Sequence, residues 1–329
     1  MDIKSHILKL KKSLNWHNIE YYVNDNPTIS DSEYDLLLIE LDKLEKKYPQ
    51  YLTYDSPTQR VGGKPLSKFG NIEHSLPMLS LANAMNQNEI DEFDTRIKKL
   101  LHQHNEIEYI AEPKLDGLAV ELVYKKGKFT YGSTRGDGSV GEDITSNLKT
   151  IKAIPLQIEA KKFPDLLEIR GEVFIDKNDF IKLNKYRVNQ GLQVFANSRN
   201  CAAGSLRQLD SKVTAERPLR IFCYAPGLIR GLKFNNQNDF LNQLPKWGFP
   251  VNPLIKKGTG SIFLKEFYNL IESKRENLNY DIDGVVFKVN SYKFQNILGT
   301  RSKSPRWAIA GKFKGEQSTT IINNIIISI

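Results

Sequence analysis

The sequence predicts an α+β protein: a small all-helical domain, then a larger domain of antiparallel sheets with helices at their flanks. Three observations carry this. Apolar residues near the N-terminus recur at helical spacing. Beyond Glu106 they take up strand spacing. The strands come in hairpins, without the strand–helix alternation of a doubly wound sheet.

The elements follow in order. Ile3, Ile7, Leu10 and Leu14 form one apolar stripe, a first helix, broken at Asn24–Pro27. Ser30 stands three residues before Glu33, a capping box that opens a second helix. Tyr34, Leu37, Leu38, Leu41, Leu44 and Tyr48 line its face, and Pro49 ends it. The polar stretch from Asp55 to Gly70 reads as a linker, which bounds a helical domain at residues 1–65 and a larger one at 66–316. In the larger domain Asn88–Leu101 reads as a helix. Leu118, Val120, Leu122 and Tyr124 share one face of a strand that turns at Lys126-Gly127 into a hairpin. Further strands are expected at 166–175, 219–225, 282–289 and 307–313, and helices at 176–189 and 261–275. The Ile-rich tail, 317–329, reads as the first strand of a further domain, since a β-branched run needs a sheet partner.

Composition narrows the class. The chain has 329 residues, 40% hydrophobic and 26% charged, as expected for two globular domains. No apolar stretch approaches the roughly 20 residues of a membrane span, and MDIKSHILKLKKSL lacks the apolar centre of a secretory leader, so a cytoplasmic protein is expected. Two cysteines exclude a four-thiolate zinc site within the chain. The net charge of +9 (47 basic against 38 acidic residues) favours phosphate-rich partners.

Charged residues inside strand-like segments point to chemistry. EPKLDG (112–117) places Lys114 at a strand end, and TRGDGSVGED offers Arg135 on a glycine-rich turn. EIRGEVF carries Glu172, DGVVFK carries Lys288, and WAIAGKFK carries Lys312 and Lys314. Burying such groups singly costs several kcal/mol, so a shared polar cleft is expected, with lysines and carboxylates suited to a phosphate-bearing ligand and a divalent cation. A lysine there can act as a nucleophile once deprotonated, and neighbouring cations would favour the neutral form of Lys114.

With these segments in family order and spacing, the chain resembles the N-terminal part of bacterial NAD-dependent DNA ligases. YYVNDNPTISDSEYD, DSPTQRVGG, PMLSLANA, EPKLDGLAV, TRGDGSVGEDITSN, EIRGEVF, FANSRNCAAGSLRQLD, IDGVVFKVN and PRWAIAGKF carry the resemblance. K-x-D-G alone indicates only a nucleotidyltransferase, whereas the SDSEYD segment is specific to the NAD-dependent group. The resemblance implies the nucleotidyltransferase fold of ligase adenylation domains, related to ATP-grasp. It implies that Lys114 attacks the α-phosphate of NAD, forms lysyl-AMP and expels nicotinamide mononucleotide. Glu112, Leu115 and Tyr224 would form the adenosine pocket. Arg135 and Glu172 would contact ribose or phosphate, and Ser80 and Leu81 the nucleotide. Lys288 and Lys312 would hold the AMP phosphate. Asp116 and Asp283 would serve catalysis and a Mg²⁺ ion. Arg199, Arg207 and Arg275 would meet the nicotinamide-side phosphate or the nick. In the helical domain Tyr21, Tyr22, Asp31, Ser32, Glu33, Tyr34 and Asp35 would hold the nicotinamide half, although Tyr34 also lies on its helix's apolar stripe and Asp31 in a first helical turn.

Two departures stand out: Gly311 replaces a bulky residue, and Lys314 replaces a proline, on either side of Lys312. The family continues into an oligonucleotide-binding barrel, a zinc module, helix-hairpin-helix units and a BRCT domain, none of which this sequence contains. The expected activity is self-adenylation in a monomer with NAD and nicked duplex DNA as partners, sealing nicks poorly by itself. The rival readings are a nucleotidyltransferase using ATP or GTP, and a non-catalytic NAD- or DNA-binding module.

Overall fold

A computed structural model describes residues 2–24, 26–61, 66–302 and 304–314; the side chain of Asp31 and the expected tail strand at 317–329 lie outside the described residues. Helices α1 (Ile3–Tyr22) and α2 (Asp31–Lys47) pair through Ile7, Leu10, Leu14 and Leu41, the apolar stripes expected from spacing. Ser30 and Glu33 form the capping box: the Ser30 Oγ accepts from the Glu33 N–H at 3.3 Å and the Glu33 carboxylate accepts from the Ser30 N–H at 2.8 Å. The buried Lys11–Glu45 pair (2.7 Å) joins the two helices.

The chain then runs through β1 (Asn71–Glu73), β2 (Ala82–Ala84), α3 (Gln87–Leu101), β3 (Glu108–Leu115), β4 (Leu118–Lys125), β5 (Lys128–Thr134), β6 (Val140–Glu142), α4 (Thr145–Thr150) and β7 (Leu166–Ile175). It continues through α5 (Lys177–Asn189), α6 (Ser198–Leu206), α7 (Ser211–Ala215), β8 (Leu219–Arg230), α8 (Gln237–Gln243), β9 (Lys256–Thr259), α9 (Gly260–Lys274), β10 (Ile282–Val289), α10 (Tyr292–Leu298) and β11 (Ala308–Lys312). A five-stranded sheet has the order β2-β11-β10-β3-β9 and a four-stranded sheet the order β5-β4-β7-β8. All ladders are antiparallel except β2 on β11, which makes the larger sheet mixed where a wholly antiparallel one was expected. The β4–β5 hairpin turns at Lys126 (φ 49°) and Gly127 (φ 75°), the two positive φ values of a tight hairpin turn.

Each sheet has its own core. Ile90, Phe93, Tyr109, Phe267 and Phe287 gather behind the five-stranded sheet. Val120, Leu122, Tyr124, Ile169 and Trp247 gather behind the four-stranded one. The period-two pattern of β4 therefore sends Val120, Leu122 and Tyr124 into the core. The opposite face of β4 and β7 is polar, because Glu121 pairs across to Arg170 and Ala119 to Glu172. No helix among the described residues is long and apolar enough to cross a membrane.

Candidate active site

Between the two sheets lies a cleft of about 1110 Å³ lined by both. It gathers Ser80, Leu81, Glu112, Lys114, Leu115, Arg135, Glu172, Arg199, Arg207, Tyr224, Lys288 and Lys312. Glycines allow this close approach. A Cβ on Gly117 would lie 2.3 Å from the Val173 carbonyl oxygen, and one on Gly284 2.2 Å from that of Gly311. Those two glycines let the β3–β4 turn lie on β7 and let β10 meet β11.

Two lysine–carboxylate clusters lie along the five-stranded wall; Lys114, Lys312, Lys288 and Glu112 line the cleft, whereas the expected Asp116 and Asp283 stand outside its lining. At one end the Lys114 Nζ lies 3.1 and 3.2 Å from the two oxygens of Asp283, and Lys312 pairs with the same carboxylate. At the other, Lys288 pairs with Glu112 at 2.5 Å, donates to the Tyr224 carbonyl at 3.0 Å and lies 4.9 Å from the Tyr224 ring centre. Strand register separates them: Lys114 and Lys312 both face Gly284, whereas Lys288 faces Ile110 and Ala308. Four residue steps of strand, about 13 Å, separate Gly284 from Lys288. The expectation that Lys288 and Lys312 grip one phosphate is therefore corrected, since their side chains are committed at opposite ends of β10. A second correction concerns Lys114, whose nearest charged neighbour is a carboxylate and not a cation.

Burial sets the carboxylates apart. Desolvation raises the Glu112 pKa against the opposing pull of Lys288, and the Glu112 Oε2 is buried without a hydrogen-bond partner. Desolvation also pushes Glu172 up to about 7, although Lys114, Arg199 and Arg135 pull it down. On the solvent side, Asp116 pairs with Arg199 at 3.1 Å and Glu142 with Arg207 at 2.7 Å.

Not every expected residue reaches the cleft. Arg275 lies outside its lining, with its guanidinium 5.9 Å from the Phe313 ring centre. None of the described residues of the helical domain lines it. Tyr22 packs against the core of the four-stranded sheet, and the Tyr34 ring lies 5.2 Å from the Lys152 Nζ while its hydroxyl accepts from Asn18 at 3.0 Å. Tyr21, Ser32 and Asp35 are exposed, and Glu33 is held in the capping box. Among the described residues no three His, Cys, Asp or Glu side chains form a metal-holding group, and Asp116 and Asp283 are each taken up by cations. Gly311 is explained by its neighbours: a Cβ there would lie 3.1 Å from Val285 and 3.2 Å from Tyr268, which fill the space of the missing side chain.

Sequence reading missed Arg170 and Glu168. They share the polar face of β7 with Glu172, two and four residues back, and Arg170 lines the cleft. Their signal was a charge at every second position of EIRGE, which a period-two reading of the strand exposes.

Residues 66–316 match the family of the NAD-dependent DNA ligase adenylation domain, and residues 1–62 that of the DNA ligase-like, N-terminal NAD+-binding domain. A DNA ligase of Geotalea daltonii is 55% identical over 322 residues, which cover 97% of this chain and 48% of that protein. A DNA ligase of Geobacter sulfurreducens is 51% identical over 325 residues, covering 98% and 48%. One of Thermodesulfovibrio yellowstonii is 50% identical over 329 residues, covering 100% and 49%. The chain thus spans about half the length of the curated relatives it matches.

Proposed function

The chain belongs to the NAD-dependent DNA ligases, and from that premise we propose that it performs their opening step, transfer of AMP from NAD to Lys114. The observation that carries this is the Lys114–Asp283–Lys312 cluster at one end of a cleft whose other end holds a buried carboxylate oxygen without a partner.

The reading assigns each end a part of the substrate. The free Glu112 Oε2 suits an N–H donor, which the amino group of adenine supplies, and the Lys288 ammonium beside it suits a ring nitrogen of the same edge. Tyr224 and Leu115 suit the flat base. Arg135 and Glu172 suit the ribose and phosphate between the two ends, with Ser80 and Leu81 on the rim. In the reaction the Lys114 nitrogen forms a bond to the α-phosphorus, and the bond from that phosphorus to the bridging oxygen breaks. The electron pair of that bond leaves with nicotinamide mononucleotide. Attack needs the unprotonated amine, and Asp283 is the acceptor within hydrogen-bond reach of its proton. Lys312 supplies positive charge to the phosphoryl group as charge shifts to the leaving oxygen. A Mg²⁺ ion would arrive with the substrate's phosphates, with Asp116 and Asp283 the carboxylates nearest to hand, and would add a second centre of positive charge there.

The nicotinamide half falls to Tyr21, Tyr22, Asp31, Ser32, Tyr34 and Asp35 in this reading, with Glu33 shaping the segment as a cap. Since none of the described residues 2–61 lines the cleft, the helical domain has to move for both halves of NAD to be held together. Sealing of nicked DNA, with Arg199, Arg207 and Arg275 towards the nicotinamide-side phosphate or the nick, belongs to the ligases as whole proteins; for this chain the proposal is self-adenylation and poor sealing, in the cytoplasm and as a monomer. The test is intact-mass measurement after incubation with NAD and Mg²⁺. One added AMP is expected, lost in Lys114→Arg, whose guanidinium stays protonated. Labelling by ATP in place of NAD, or of the Arg variant, would overturn the reading.

A further inference from the structure

A buried histidine beside the cleft has no part in the step above. His74 follows β1, and its side chain has no solvent-exposed surface. Its Nδ1 lies 2.9 Å from a Glu121 carboxylate oxygen on β4, and its Nε2 lies 3.1 Å from the Arg135 carbonyl oxygen. Carboxylate and carbonyl are both acceptors. A neutral imidazole carries one N–H and can satisfy only one of them, whereas the imidazolium donates to both.

The atoms it joins matter to the cleft. The Arg135 carbonyl also accepts from the Gly138 N–H at 3.0 Å, which closes the turn that presents Arg135. Gly136 (φ 56°) and Gly138 (φ 101°) give that turn its shape, and glycines hold such a shape weakly by themselves. The turn is also tied to the segment that leads to Ser80: Ser139 O accepts from the His74 N–H at 2.9 Å and Gly138 O from the Met78 N–H at 2.8 Å. One ring therefore sits where two nucleotide-facing segments meet.

We infer that His74 is a positioning residue for Arg135, held as an imidazolium that ties the 135–138 turn to Glu121 and so fixes where the Arg135 side chain enters the cleft. This rests on the adenylation reading. The charged groups facing the ring are Glu121 on β4, Arg170 on β7 and Asp137 in the turn; Glu168, further along β7, is taken up by Ser75 and the Leu228 N–H. Burial lowers the His74 pKa, as does Arg170, but the hydrogen bond and charge of Glu121 and the hydrogen bond to the Arg135 carbonyl raise it, and the net displacement from 6.5 is upward. A histidine with a raised pKa keeps its clamp below 6.5 and loses it as pH rises through the raised value.

Two measurements test this. In ¹⁵N NMR of the whole chain with labelled histidine, assigned by the signal lost in His74→Gln, both His74 nitrogens should still carry protons at pH 6.5, where an unperturbed histidine is half neutral. A neutral His74 there would overturn the proposal whatever the chain does with NAD. In NAD labelling, His74→Gln should raise KM about tenfold at pH 6.5, the loss of one charge-assisted hydrogen bond, with kcat little changed. Glu121→Gln keeps the shape but removes the charge, and should move the alkaline rise of KM to lower pH. A merely structural role would reduce the active fraction, and so kcat, without moving that midpoint; superimposable KM–pH profiles for Glu121→Gln and wild type would overturn the proposal. A wild-type chain that NAD does not label would sink the adenylation reading instead, and the NMR result would still decide the charge on His74.

Discussion

The two ends of β10 hold the same pair of functional groups in different surroundings. Lys288 and Glu112 are each about 6% exposed, while Lys114, Lys312 and Asp283 are each about a quarter exposed. The buried pair is stoichiometric, one ammonium for one carboxylate, and Lys288 opposes the burial that raises the Glu112 pKa. The open cluster sets two ammonium groups on one carboxylate, so a phosphate can enter as a further anion. In the proposed reading, burial suits one end to recognition and the other to chemistry, and side-chain type alone does not tell them apart.

The sharpest way to break the comparison is at the open end. Asp283→Asn should reduce AMP transfer by at least about a hundredfold, the scale of a lost proton acceptor. It should cost less than about 1 kcal/mol of stability, since partly exposed pairs contribute little. A loss of stability comparable to that of the buried pair would show that both clusters are structural. At the buried end, Lys288→Met should destabilise by about 3 kcal/mol at pH 8, because it strands a buried carboxylate. The Glu112 pKa is already raised, so the native state holds its proton to higher pH than the unfolded chain does. The penalty should therefore shrink as pH falls through that raised value and Glu112 becomes neutral. Urea denaturation at pH 5 and pH 8 reads this, and equal penalties at both would refute it.

Glu172 lies between the ends and sharpens the contrast. Its carboxyl is pushed from 4.5 up to about 7, so the native state binds an extra proton across that window and stability falls as pH rises through it. Glu172→Gln removes this slope and should stabilise the chain by about 3 kcal/mol at pH 8, with no gain below pH 4.5; thermal unfolding at the two pH values decides it. The smallest effect is expected at Gly311→Ala. The added methyl must displace Val285 or Tyr268 slightly, at a cost of about 1 kcal/mol. AMP transfer should stay within about twofold of wild type. A tenfold loss would show that Lys312 depends on this glycine.

Much of the fold was legible because local physics fixed it. Strands 166–175 and 282–289 coincide with β7 and β10, since both are long runs of strand-forming residues ended by polar ones. The capping box at Ser30 and the hairpin at Lys126-Gly127 are local signals too, and needed no tertiary context. Helix α6 was not legible: SRNCAAGSL has no apolar period, and only Asn197, whose side chain accepts from the Asn200 N–H at 2.7 Å, marks its start. The short strands β2 and β9 carry too few residues for a pattern, and the parallel pairing of β2 with β11 is long-range.

The sequence by itself determined that several in-strand charges would share one cleft. A charge inside a strand must find a partner or water, and so Lys114, Arg135, Glu172, Lys288 and Lys312 could be read as one cleft before any coordinates, although Lys314, read with them, is not in its lining. It could not determine how they divide. Whether Lys288 joins Lys312 or Glu112, whether Lys114 faces a cation or Asp283, and whether Tyr34 reaches the cleft or lies beside Lys152 all depend on strand register and domain placement. Those are set by backbone pairing and core packing summed over distant segments, while periodicity reports only on neighbours within a single strand or helix.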